Sequence, residues 1–401
     1  MTLPRRDFLK ASAAITVLGI PAINVLGAND TINIGLIGTG GRCRHLLKSL
    51  VKVPGVRIAG LCDVYDDNIN LTKPSADPKA FITKNHHELL NRKDIDAVLI
   101  AAPDHWHVPI TIDACEAKKD VYVEKPLTHD LSEGAPVIAA VKKHQTIVQV
   151  GTQQRSMPHI AKARELIRDQ KLGHVFKVIM SWNRNAARAT KTFPKIDEKT
   201  LDWKMFCGNA KAQPLDTYKF RQWRWFWDFG GGIFTDLMVH WVDVAHWLLD
   251  LETPLEARSN GQFISAKDVW ETPDTVQTLL TYPNNVQMIF EGTFSNAKNG
   301  ARIELFGTEA SMYIDRGRYE LIPEPGKKVE ASEMVLGTGP KGRDFYELPD
   351  GELLHLTNWI DCVRNRKTPN SPIESGVHSA AAAHLANQAL RTGLVAKSSK
   401  V

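Results

Sequence analysis

Residues 31–44 read Thr31-Ile32-Asn33-Ile34-Gly35-Leu36-Ile37-Gly38-Thr39-Gly40-Gly41-Arg42-Cys43-Arg44, and the fold follows from what this stretch can do. Thr31 to Ile37 is a β-rich run, and Arg42 to Val51 has the composition of a helix. A strand that turns through Gly-x-Gly directly into a helix lets the backbone approach a pyrophosphate, whose charge the helix N-terminus favours. Gly38, Thr39, Gly40, Gly41 and Arg42 are therefore candidate cofactor-binding residues. Cys43 replaces the third glycine of the dinucleotide fingerprint, a small side chain that still permits close helix-to-strand packing. Val56 to Cys62 reads as the next strand and ends on Asp63, 25 residues past Gly38. An acid there would accept hydrogen bonds from ribose hydroxyls and repel a 2′-phosphate, so NAD is expected over NADP.

Outward from this unit, strand-like and helix-like segments alternate, the pattern of a parallel sheet with crossover helices. Asp96 to Ala102 is a strand ending at Pro103, Val108 to Ala117 a helix, and Asp120 to Glu124 a strand that closes on Lys125-Pro126. Leu131 to His144 reads as helical and Thr146 to Gly151 as extended. Beyond, Ile160 to Asp169 looks helical, Val175 to Trp182 extended, and a Trp-rich loop leads to a helix from Ile233 to Leu249. Short β-rich runs then follow closely from Val276 to Asp315, separated by Pro-Asn-Asn, Asn-Gly and Gly-Thr-Glu turns. The spacing predicts an α/β chain in two parts: a nucleotide-binding domain over 29–153 and, over 154–393, an α/β domain with an open, mostly antiparallel sheet. A closing helix from Val377 to Leu390 is capped by Gly393, leaving 394–401 as a tail.

A chain of 401 residues fits two cores better than one. Its apolar and charged fractions, 43% and 24%, are those of a globular protein. The formal charge of +5, without a basic stripe interleaved with aromatics, points away from nucleic acid as a partner. Cys43, Cys62, Cys115, Cys207 and Cys362 stand singly, which suggests small buried residues rather than disulfides or a zinc site. At the start of the chain, Arg5-Arg6-Asp7-Phe8-Leu9-Lys10 precedes an apolar run from Ala11 to Ile23, then Gly27-Ala28. Residues 1–28 resemble a twin-arginine export signal, so a periplasmic or otherwise exported protein and a partner in that export machinery are expected.

At Glu124-Lys125-Pro126 the sequence resembles the Gfo/Idh/MocA oxidoreductases. The resemblance extends through Ala102-Pro103-Asp104-His105-Trp106-His107, Gly151-Thr152-Gln153-Gln154-Arg155, Leu201-Asp202-Trp203, Trp223-Arg224-Trp225, and Gly230-Gly231-Gly232 leading to Asp236, His240 and Asp243. It implies a Rossmann domain followed by an α/β domain whose sheet covers the nicotinamide and serves in homo-oligomerisation. It also implies that Lys125 matches the family's catalytic lysine, and Asp236 and His240 its Asp-x-x-x-His pair. Pro103, His105, His107, Glu124, Lys125 and Gln153 join the candidate cofactor contacts.

Oxidising a secondary alcohol needs a proton acceptor and a cation near the developing alkoxide, the residue types that His240 and Lys125 supply. On a helix Asp236 and His240 share a face, and Asp243 falls within roughly 20° of Asp236 by the 3.6-residue period. A metal held by these three is the competing reading, but no metal ligand is assigned. His105 and His107 are expected to shape the loop over the cofactor. Arg155, Trp182, Asn183, Arg224, Trp225 and Asp236 are candidates for the substrate side, where aromatic faces meet C–H surfaces and polar groups bind hydroxyls. Export would oblige the enzyme to carry its NAD tightly bound. The substrate expected is a sugar, glycoside or cyclitol. A redox-neutral glycosidase working through a keto-sugar, and a non-catalytic binding protein stabilised by its cofactor, are the alternatives.

Overall fold

The computed structural model describes residues 31–186, 188–337 and 350–398. The expected export signal at 1–28 lies outside them. No helix among the described residues is long and apolar enough to cross a membrane.

The first sheet has six parallel strands in the order Phe81–Thr83, Val56–Cys62, Ile32–Ile37, Ala97–Ile100, Asp120–Val123, Val148–Val150. Covered on both faces, its central strands read as continuous apolar runs rather than alternations, as Ala97 to Ile100 shows with every residue buried. The order reverses between Ile32–Ile37 and Ala97–Ile100, and the crevice beyond their carboxyl ends is where such sheets bind ligands. Cys43 is fully buried against Leu36 and Leu46, and burial pushes its thiol up to about 12. All five cysteines are free and buried, as their scatter suggested.

The second sheet has nine strands, in the order Ser332–Val335, Arg318–Pro323, Ala310–Asp315, Ala301–Gly307, Val175–Asn183, Gln287–Thr293, Thr275–Thr281, Glu256–Gln262, Ala396–Lys397. Only Val175–Asn183 with Gln287–Thr293 runs parallel. One face packs on the helices Val239–Leu249 and Ile373–Thr392, the latter ending at Gly393 with φ +68°. This last helix starts before the expected Val377, and Ala396–Lys397, expected as tail, closes the sheet edge against Glu256–Gln262. The helix Gly351–Asn365 crosses back to the first sheet, burying Leu356, Trp359 and Ile360 beside Ile34, Leu36, Leu99 and Tyr122. The late chain therefore contributes to the core of the nucleotide-binding half.

Candidate functional site

The glycine turn is built so that backbone faces open space. Gly38 sits at φ +79°, and a Cβ there would meet the Ala102 nitrogen at 2.5 Å, so no other residue fits. A Cβ on Gly41 would meet nothing within 4 Å, and the helix Gly41–Leu50 has no acidic side chain in its first turn. Thr39 is buried, and both its N–H and its hydroxyl donate to Asp63 Oδ2, at 2.7 and 3.2 Å. Asp63 Oδ1 accepts from the Tyr65 N–H at 2.9 Å, and Asn68 donates to Oδ2. Burial raises the Asp63 carboxyl above its usual range even with these four donors opposing it. Asp63 thus holds the glycine turn to the end of the second strand, a task beyond the ribose contact expected of it. In front lies a cavity of about 340 Å³ walled by Gly38, Gly40, Gly41, Asp63, Pro103 and Trp106. Open backbone at a helix N-terminus beside a carboxylate suits a dinucleotide, with Gly38, Gly40 and Gly41 at its pyrophosphate and Asp63 at a ribose.

A second cavity of about 260 Å³ shares Arg42, Ala101, Ala102, Trp223 and Arg224 with the first. Lys125, from the carboxyl end of the fifth strand, and Asp236 and His240, from the second domain, all line it. Lys125 Nζ donates to the Asp236 carbonyl at 2.9 Å and its carboxylate at 3.3 Å, and Arg224 Nε reaches the same carboxylate oxygen at 3.2 Å. Burial alone would raise the Asp236 carboxyl, but Lys125, Arg224 and Arg188 overcome it and hold Asp236 far below the usual carboxylate range. Burial and the Lys125 charge push His240 well below an ordinary histidine, with Asp236 opposing, so the imidazole is neutral at pH 7. Trp182 lies over His240 with ring centroids 5.0 Å apart. Glu124 and Gln153 also line this cavity, with Arg42 bridging Glu124 at 2.8 Å and Glu352 at 2.7 Å. His107 borders it too, its ring nitrogens 2.7 and 2.8 Å from the Pro126 and Ala102 carbonyls.

Five expected site residues point elsewhere, the first being Thr39, which is buried on Asp63 and lines neither cavity. Arg155 turns away from Gln153 and Gln154 into a buried two-pronged ion pair with Asp243, at 2.7 and 2.8 Å. Asp243 is seven residues on from Asp236, about 10 Å further along a helix, and does not line the cavity. It therefore forms no cluster with Asp236 and His240 that could hold a metal. Asn183 faces the opposite side of its strand from Trp182 and donates to Glu291 and the Lys298 carbonyl. Trp225 stacks on Trp270 at 4.4 Å in the core, while Trp223 of the same short turn borders both cavities. His105 points across to the Phe206 carbonyl and packs on Phe229, so Trp106 rather than His105 walls the dinucleotide cavity. The helix expected from Ile233 to Leu249 begins with a π-helical turn, Phe234–Met238, which carries Asp236. Such turns recur at functional sites.

Sequence reading missed Asp104, Gln154, Arg184, Arg188 and Trp223, all of which line the second cavity. It also missed His86, His87 and Asp113, whose ligating atoms lie within 4.8 Å of one another, with His86 Nε2 2.9 Å from Asp113. Asp104 stands in the first turn of its helix, three residues before His107, a spacing that puts both on one face. Burial pushes its carboxyl up to about 8, with Lys125 and Arg224 opposing and Asp236 and Glu124 adding to the rise. An unfolded aspartate ionises near pH 4. Between about pH 4 and 8 the folded state thus binds the extra proton, and this residue makes stability fall as pH rises. Asp104→Asn should remove that dependence. Denaturant melts should show the variant gaining on the parent from pH 5 to pH 8.5, whereas a constant difference would mean that Asp104 is ionised throughout.

The family model for "Oxidoreductase family, NAD-binding Rossmann fold" matches residues 32–152, and the one for the "GFO/IDH/MocA C-terminal domain" matches 160–313. The chain belongs to the GFO/IDH/MocA family. This GFO/IDH/MocA protein is an oxidoreductase whose cofactor is NAD, and its relatives include inositol dehydrogenases. It is 25% identical over 349 residues to scyllo-inositol 2-dehydrogenase (NAD(+)) of Bacillus subtilis, covering 84% of this chain and 88% of that one. It is 29% identical over 171 residues to alpha-N-acetylgalactosaminidase of Shewanella oneidensis, covering 35% of this chain and 37% of that one. Among solved structures, a levoglucosan dehydrogenase in complex with NADH and levoglucosan superposes with a TM-score of 0.70 at 18% identity, over 92% of this chain and all of that one. At that identity the likeness establishes the fold.

Proposed function

We propose that this oxidoreductase oxidises a secondary hydroxyl of a sugar, glycoside or cyclitol. The observation that carries this reading is that Lys125 from one domain and Asp236 with His240 from the other wall one cavity, contiguous with the glycine-turn cavity. Bound NAD supplies the hydride acceptor. The carbinol carbon loses hydride while the hydroxyl proton passes to the neutral His240 imidazole, leaving a ketone. As the oxygen gains negative charge, the Lys125 ammonium stabilises it, and Asp236 fixes that ammonium in place through two hydrogen bonds. The Asp236 charge also favours the imidazolium that His240 becomes. The inositol dehydrogenase relative supports a cyclitol or sugar as the class of substrate.

The paired arginines and apolar run of residues 5–23 support export through the twin-arginine route. An enzyme without access to a soluble nicotinamide pool must carry its NAD and keep it. Purified protein denatured in acid should then release about one NAD per chain by mass spectrometry, and inositols, aldoses or levoglucosan added beforehand should convert it to NADH. Absence of any dinucleotide would sink the retained-cofactor reading. The match to an alpha-N-acetylgalactosaminidase favours a second reading, redox-neutral glycoside cleavage. Aglycone released from a nitrophenyl glycoside without net NADH would establish it in place of the first. We also propose a homo-oligomer formed through the second sheet. Ile179, Ile289 and Leu279 align across three adjacent strands on the side away from its helices, a stripe suited to pairing with a second copy.

A further inference from the structure

The second cavity carries more positive charge than its own carboxylates balance. Arg42, Lys125, Arg184, Arg188 and Arg224 line it, against Asp104, Glu124 and Asp236. Arg42 is held by Glu124 and Glu352, while Lys125 and Arg224 share Asp236. Asp104 retains its proton at neutral pH. Among the described residues no ion pair joins Arg184 or Arg188 to a carboxylate. Each is instead backed by an aromatic ring, Arg184 at 5.5 Å from the Trp182 centroid and Arg188 at 4.8 Å from that of Phe294. Arg188 is desolvated enough that its guanidinium lies below the usual range, with Arg184 and Arg224 adding like-charge repulsion against the pull of Asp236. A guanidinium facing a cavity with like charges beside it is stabilised by an anion arriving from outside.

The position of this excess charge matters. Arg184 follows the strand Val175–Asn183 at the same parity as Trp182, and Trp182 in turn lies over His240. Arg184 is therefore one side chain removed from the imidazole that receives the hydroxyl proton, and Arg188 lines the same cavity. Planar guanidinium forks match a carboxylate in geometry as well as charge.

We propose that Arg184 and Arg188 form an anion subsite, and that the substrate is an acidic sugar, a uronate or aldonate, whose carboxylate they hold while His240 and Lys125 face its hydroxyl. This deepens the dehydrogenase reading and rests on it for the role of His240. Calorimetric titration of the NAD-loaded protein with matched pairs, glucuronate against glucose and galacturonate against galactose, tests it alongside NADH formation in the same mixtures. The acidic members should bind at least ten-fold more tightly than their neutral parents, and that preference should shrink with added salt. Arg184→Met and Arg188→Met should each cut the acid-over-neutral ratio about ten-fold. Equal binding of acid and parent by the unsubstituted protein overturns the proposal, whatever the variants do. Glucose 6-phosphate binding more tightly than glucuronate would keep the anion subsite and overturn the choice of a carboxylate. Tight uronate binding with no NADH from any sugar leaves the subsite standing and removes the dehydrogenase reading; NADH from neutral sugars alone does the reverse.

Discussion

Replacing Lys125 with methionine is expected to lower turnover about a thousand-fold while the purified protein still carries its NAD. The size follows from one loss: a cation aimed at the developing alkoxide contributes on the order of 10²–10³. Cofactor retention should survive because Lys125 borders the second cavity, whereas the glycine turn and Asp63 border the first. The same substitution has a second signature. Lys125 is the largest opponent of the burial that drives the Asp236 carboxyl upward, so removing it must raise the proton affinity of Asp236 and relieve the depression of His240. The acidic limb of the pH–rate profile should move to higher pH in the methionine variant. Lys125→Arg, which keeps a charge beside Asp236, should leave that limb near its original position while still losing turnover. Stopped-flow measurement of NADH formation across pH gives both quantities, and a drop smaller than ten-fold in Lys125→Met would remove the lysine from the chemistry.

The sequence made the first domain legible because its signals are local. A β-rich run, two glycines and a helix are contiguous in residues 31–50, and the acid at Asp63 follows at a fixed distance. Lys125 was equally visible, since a strand's carboxyl end followed by proline fixes where the residue must stand. The second sheet was only partly visible. Its central strands alternate cleanly, as in Gln287–Thr293, whereas Glu256–Gln262 buries only Ala257 and so has no apolar period to read. The helix Gly351–Asn365 was not read from the sequence, and nothing local says that it returns to the first sheet. Side-chain direction was the other limit. Trp182 and Asn183 are neighbours on a strand and cannot face one cavity, while Trp182 and Arg184 can; parity alone would have exchanged Asn183 for Arg184. No comparable rule turns Arg155 inward, because its partner Asp243 lies 88 residues away.

That inward arginine sets up the largest expected effect on stability. Arg155 Nε and Nη2 donate to the two oxygens of Asp243 at 2.7 and 2.8 Å, with side chains 7% and 0% exposed. Removing one partner of such a pair leaves a buried charge uncompensated, at a cost of about 3–5 kcal/mol. Arg155→Met should therefore lower the melting temperature by roughly 5–10 °C, although neither residue lines the cavity where the chemistry is proposed. Asp243→Leu should cost a similar amount for the mirror-image reason. The double variant Arg155→Met/Asp243→Leu removes both charges and keeps apolar volume, so it should recover most of the loss. A coupling energy of at least 2 kcal/mol in this cycle is expected, and additive single effects would mean that the two residues act on the fold separately. The pair also ties the turn Gln153–Ser156, which leaves the first sheet, to the helix Val239–Leu249 that begins just after Asp236. Loosening it should let Lys125 and His240 drift relative to one another, so the single variants should lose turnover at temperatures well below their melting points, and the double variant should regain it.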